Sequence, residues 1–133
     1  MWTEIKTQSD IDSVLELYGF FHDSCIRDFH ISTRAFVEKN LSMGFDNKLT
    51  VSILFQRQFS PNSVLELKFE DAIKFNYYPY DDIIYDASII IEDGLFYWTE
   101  CEINDLSSTW ICGEKLYWRF RPKLLGNIER MKM

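Results

Sequence analysis

Five consecutive residues, Phe21-His22-Asp23-Ser24-Cys25, hold the residue types from which a nucleophilic site is assembled. His22 would act as base, Asp23 as orienting acid, and Ser24 or Cys25 as nucleophile. Such a relay needs heavy-atom contacts of roughly 2.6–3.2 Å. An extended chain works against it, because His22 and Ser24 then point to one face and Asp23 and Cys25 to the other. No Gly-flanked serine elbow surrounds Ser24. A hydrolase or thiol enzyme using His22, Asp23 and Cys25 is therefore the weaker reading, and no catalytic residue is assigned. The stronger reading is a structural junction between a helix and a strand. There Asp23 and Ser24 satisfy backbone groups, His22 bridges the two elements, and Cys25 packs as a small hydrophobe.

Other chemistries find less support. His22 and His30 are the only histidines, and a regular strand would hold them roughly 26 Å apart. Cys101 and Cys112 could meet across a hairpin but lack the close-spaced ligand pairs of a zinc site. Asp81, Asp82 and Asp86 lack the glycine and terminal glutamate of a calcium loop. Gly44 and Gly113 stand alone, so no phosphate loop is present. Neither a metal nor a cofactor is expected.

The elements that must position these residues follow from hydrophobic period. A helix is predicted over about 10–18, capped by Ser9, with Ile11, Val14, Leu15 and Tyr18 as its apolar stripe. Gly19 then ends it in the left-handed conformation. Beyond Gly19 the period becomes two. Strands are predicted over about 25–37, 49–59, 64–70, 73–78, 87–92, 95–101 and 115–121. In the second of these Leu49, Val51, Ile53 and Phe55 share a face, with Leu54 as an exception. Leu65, Leu67 and Phe69 alternate with Glu66, Lys68 and Glu70, the pattern of a sheet covered on one side and wet on the other. The break at Asp71-Ala72 is a bulge in one strand or a bend between two. Asp93-Gly94 between strand formers marks a tight hairpin. No period extends beyond Pro122, where a frayed or briefly helical tail is expected.

One helix followed by six or seven strands excludes a parallel sheet built from repeated crossovers. The expected fold is α+β, mainly β: a strongly curved antiparallel sheet or small sandwich closed by the N-terminal helix. At 133 residues the chain fits one domain, 1–133. No apolar run approaches a bilayer span, no secretory leader is visible, and three irregularly placed cysteines suit a reducing compartment, so a cytoplasmic location is expected.

The net charge of −7 argues against nucleic acid as a partner and suits a basic protein. Tyr78 and Tyr80 sit beside Asp81 and Asp82, and both faces of the strand carrying Phe96 and Trp98 are apolar. These six residues form the expected binding surface, with rings supplying contact area and carboxylates supplying steering. The same aromatics could instead close the core or form a homodimer.

The segment Gly19-Phe20-Phe21-His22-Asp23-Ser24-Cys25-Ile26 resembles an entry motif of small, largely uncharacterised bacterial proteins. Similar families belong to immunity-protein groups encoded beside polymorphic toxins, where a Phe-His-Asp stretch precedes a β-rich body with a late Asp-Gly hairpin. The order of elements agrees over nearly the whole chain, while the residue match is confined to this segment. The resemblance implies a small non-enzymatic protein-binding module that neutralises a toxin domain by occlusion. It implies no catalytic residue, and His22 and Asp23 carry over as scaffold.

Overall fold

A computed structural model of the chain describes residues 1–126. The expected tail is outside the described residues except for a single 3-10 turn at Pro122–Leu124. The chain begins with a short strand, β1 (Thr3–Ile5), which the sequence reading missed. Helix α1 then runs over Gln8–Leu17. Its cap is Thr7 rather than Ser9. Thr7 Oγ1 accepts from the Asp10 amide at 3.2 Å, and Asp10 Oδ2 accepts from the Thr7 and Lys6 amides at 3.0 and 2.8 Å. This reciprocal box uses three orphan donors, which is more than Ser9 could satisfy. Those bonds from Lys6 and Thr7 hold the Asp10 carboxyl below its usual range.

Seven strands form one antiparallel sheet in the order β2 (Ser24–Ser32), β5 (Leu49–Arg57), β6 (Val64–Asn76), β9 (Trp110–Phe120), β8 (Leu95–Thr99), β7 (Ser88–Glu92), with β1 also on β9. β6 occupies one side of β9; on the other side β8 pairs with its first half and β1 with its second. The mainly antiparallel β expectation therefore holds, and the sheet does not close. A separate two-stranded ribbon, β3 (Phe36–Val37) with β4 (Met43–Gly44), replaces the end of the predicted 25–37 strand. The two runs predicted at 64–70 and 73–78 are one strand. Asp71 adopts φ 53 beside the register shift at 72–74, so the break is a bulge. β9 starts five residues earlier than the predicted 115, because residues from Trp110 on find partners on both sides. Asp93 (φ 52) and Gly94 (φ 76) form the expected turn.

The sheet is strongly curled. β5 and β8 are separated by β6 and β9, which in a flat sheet would hold them roughly 14 Å apart. Yet the rings of Phe55 and Trp98 lie 5.1 Å apart. Across the remaining gap Ile84 N donates to Ser24 O at 2.7 Å, a lone bridge between β2 and the segment before β7. The concave side is filled by Val51, Ile53, Phe55, Leu65, Leu67 and Phe69, and α1 adds Ile11, Val14 and Leu15.

The opposite side is not wet, and this corrects the simple alternation. Leu54 is fully buried there and Glu66 is only 3 % exposed. Arg119 lies opposite Glu66, and its Nε and the Nη1 of Arg121 each donate to Glu66 Oε1 at 2.7 Å. Trp2 stacks on Arg119 at 4.0 Å. Arg27 and Gln56 both donate to Leu124 O, drawing the C-terminal turn over the same face.

Between α1 and β2 the chain makes a left-handed 3-10 turn at Gly19–Phe21. Gly19 (φ 59), Phe20 (φ 57), Phe21 (φ 61) and Asp23 (φ 57) all have positive φ. For the three non-glycine residues this costs roughly 1–2 kcal/mol each. The turn is held by Ala87 N donating to Phe20 O at 2.9 Å and Gln58 N to Asp23 O at 3.2 Å. Above all it drives Phe21 into the core, fully buried against Tyr18, Phe55 and Trp98. Phe21→Ala is expected to lower the unfolding free energy by ~3–5 kcal/mol in urea titrations. Phe20→Gly, at a half-exposed left-handed position, is expected to raise it by about 1 kcal/mol. A loss of less than about 1 kcal/mol for Phe21→Ala would contradict the insertion.

Candidate functional site

The left-handed turn decides what the polar cluster can do. His22 stands exposed at its end, and its ring bridges the turn and the segment before β7. Nδ1 donates to Tyr85 O at 2.6 Å, so the other nitrogen, Nε2, faces Asp23 Oδ2 at 3.4 Å. Asp86 Oδ1 lies 3.9 Å from Nδ1. The Tyr85 carbonyl, with Asp23 and Asp86, raises the His22 pKa above its ordinary 6.5.

The two nucleophile candidates are elsewhere. Ser24 is buried beside Tyr18, and Cys25 is exposed, bordering pockets that His22 does not line. No hydrogen bond among the described residues joins either to His22. The site brings His22 and Asp23 together as a junction between the turn and the segment before β7, not as a relay. Cys25, expected in a buried position, faces outward because it follows buried Ser24 on an alternating strand.

No three potential ligands gather into a metal site among the described residues. Cys25, Cys101 and Cys112 are free thiols. Buried Cys112 sits opposite Tyr97 rather than Cys101, and contact with its thiol and burial push the Tyr97 hydroxyl up to about 12.

The expected binding surface divides. Phe96 and Trp98 are in the core, Trp98 completely, because the curled sheet turns β8 towards β5. They are closed to any partner. Tyr78 is exposed, with its main chain pinned to Thr109 by two hydrogen bonds. Tyr80 is half-buried and donates to Glu100 at 2.8 Å; burial and that bond raise its hydroxyl pKa. Asp81 and Asp82 are exposed on the 77–86 segment, which runs beside the free side of β2, from the Tyr77–Phe29 ring contact at 5.2 Å to the Ile84–Ser24 bridge. Between segment and strand lies a pocket of about 400 Å³, lined by Ile26, Tyr77, Tyr80, Asp81, Asp82 and their neighbours.

A second exposed surface was missed. The β3–β4 ribbon carries Phe36, Val37, Leu41, Met43 and Phe45, each more than half exposed. Its base is anchored by Arg34, whose guanidinium bonds Asp46 at 3.1 Å and Asp71 of the β6 bulge at 2.7 Å. The Glu38-Lys39-Asn40 break between apolar residues was the available signal, but the expected strand over 25–37 takes in Phe36 and Val37 alone and leaves 38–48 without an element.

No family model, curated protein or solved structure matches this chain. Among the described residues, no helix is long and apolar enough to cross a membrane.

The His22 contacts have a definite pH sign. A folded-state pKa raised above 6.5 gives stability that is fully present below that value and is lost as pH rises through the raised pKa. The melting temperature of the wild type should therefore exceed that of His22→Asn by more at about pH 6 than at about pH 8. A difference independent of pH across that range would contradict the His22–Asp23 pairing.

Proposed function

We propose that the protein is a non-enzymatic protein-binding module whose partner is a basic protein with an apolar groove. The observation that carries this reading is the ribbon at 36–45, where five large apolar side chains are left in water. Isolated exposed hydrophobes are ordinary, but a projecting group of this size is characteristic of interaction sites. Charge complementarity supports the choice of partner. The net charge is −7, and the 77–86 segment beside β2 carries Asp81, Asp82 and Asp86 without a basic residue. These carboxylates steer a cationic surface, and Tyr77 and Tyr80 with Asp81 and Asp82 offer an arginine or lysine side chain both rings and counter-charge.

The partner class follows from the resemblance at 19–26: a toxin domain, neutralised in the cytoplasm by occlusion of its surface. The three free thiols accord with a reducing compartment. No cofactor enters this mechanism.

Affinity capture with wild-type and variant bait, followed by titration of the purified partner, tests the reading. A basic polypeptide should bind the wild type. Phe36→Ser/Phe45→Ser should weaken it at least tenfold with an unchanged melting temperature. Asp81→Lys/Asp82→Lys should slow association several-fold at low salt and much less at high salt. Equal binding by the ribbon variant contradicts the ribbon as contact surface. A dimeric light-scattering mass that reverts to monomer in that variant assigns the ribbon to self-association instead.

A further inference from the structure

Arg57, at the end of β5, is a buried cation whose acceptors among the described residues are all main-chain carbonyls. It is 9 % exposed. Its Nε donates to Asn62 O at 3.0 Å, and its Nη2 to Pro61 O at 2.9 Å and to Leu17 O, at the end of α1, at 3.3 Å. Its guanidinium lies between the rings of Tyr18 at 4.6 Å and Phe59 at 4.9 Å. Carbonyl dipoles and ring faces solvate a cation without neutralising it, and buried charges ordinarily carry a counter-ion.

Nη1 makes no hydrogen bond among the described residues. A methyl carbon placed on Gly19 would fall 2.9 Å from Arg57 Nη1, so a side chain here would crowd that nitrogen. Gly19 and Arg57 line the same pocket, a cleft of about 280 Å³ whose other walls are Glu16, Leu17, His22, Asp23, Gln58 and Phe59. That size is at the lower end for small-molecule sites, ~300 Å³ and above. Its charges are mixed. Asp23 already faces His22, whereas the exposed Glu16 side chain forms no hydrogen bond or ion pair among the described residues.

We propose that this pocket binds a zwitterionic α-amino acid with an apolar side chain. The ligand carboxylate takes Arg57 Nη1, its ammonium takes Glu16, and its side chain lies against Leu17 and Phe59. Each part contributes to selection. Glu16 disfavours a dianion such as phosphate, Arg57 repels a simple amine, and Leu17 and Phe59 offer apolar contact to an aliphatic side chain. This site is separate from the ribbon and the 77–86 segment, so its test is independent of the protein-binding reading.

The experiment is an NMR titration of ¹⁵N-labelled protein, following the Arg57 side-chain N–H and the Gly19 amide. L-leucine should shift both saturably. N-acetyl-L-leucine, which lacks the ammonium, and leucine methyl ester, which lacks the carboxylate, should each bind at least tenfold more weakly. Inorganic phosphate should give no saturable shift. Because Arg57 holds the end of α1, its replacement could unfold the chain; Glu16→Gln, on the exposed face, serves instead. It should weaken leucine at least fivefold without changing the melting temperature. Absence of a saturable shift up to ~20 mM leucine, where a millimolar site would be nearly full, overturns the proposal. Equal binding of N-acetyl-L-leucine, or an unchanged leucine affinity in Glu16→Gln, overturns the zwitterion assignment.

Discussion

Insertion of Phe21 beneath the curled sheet is the contact on which the rest of the structure depends. Its ring lies 4.8 Å from Phe55 of β5 and 5.7 Å from Trp98 of β8, two strands that a flat sheet would keep apart. The helix end, the concave face and the far half of the sheet therefore meet at one side chain. To place it there the chain accepts three non-glycine residues with positive φ between 20 and 23, a strain of several kcal/mol by ordinary backbone preferences. Burying a phenylalanine stabilises by roughly 1.5–3 kcal/mol, so the ring offsets only part of that. The hydrogen bonds from Ala87 and Gln58 to the turn must supply much of the remainder.

The same turn sets the two polar environments of the molecule. It directs His22 outward to Tyr85 and Asp23, and it brings Gly19 against Arg57. Arg57 in turn holds the end of α1 and the 58–63 turn through main-chain carbonyls and the Tyr18 and Phe59 rings. The relay at 22–25 is not assembled for the same reason, since a turn shaped around Phe21 buries Ser24 and leaves Cys25 facing outward. The apolar ribbon and the acidic segment beside β2 are left exposed, because the core does not need them.

What was legible in the sequence was local. Asp93-Gly94 specifies its turn through backbone preferences, and Leu65, Leu67 and Phe69 specify their face through period two. The glycine stop at Gly19 was legible for the same reason. Glu66 was read as solvated because its partners, Arg119 and Arg121, are more than fifty residues away. Phe96 and Trp98 were read as a surface because only the curl of the whole sheet buries them. β1 has three residues and exists through its pairing with β9, so no local pattern could announce it. Thr7 is a different case: the Thr7–Asp10 box is present in the sequence, and it outcompetes Ser9 as the cap because it satisfies donors in both directions.

Nuclear Overhauser contacts between aromatic protons test the central claim most directly. With assigned side chains, the Phe21 ring should show cross-peaks to both the Phe55 ring and the Trp98 indole. Cross-peaks from Phe21 to neither, in a folded and fully assigned sample, would mean that the turn does not enter the core and that the sheet is not curled around it.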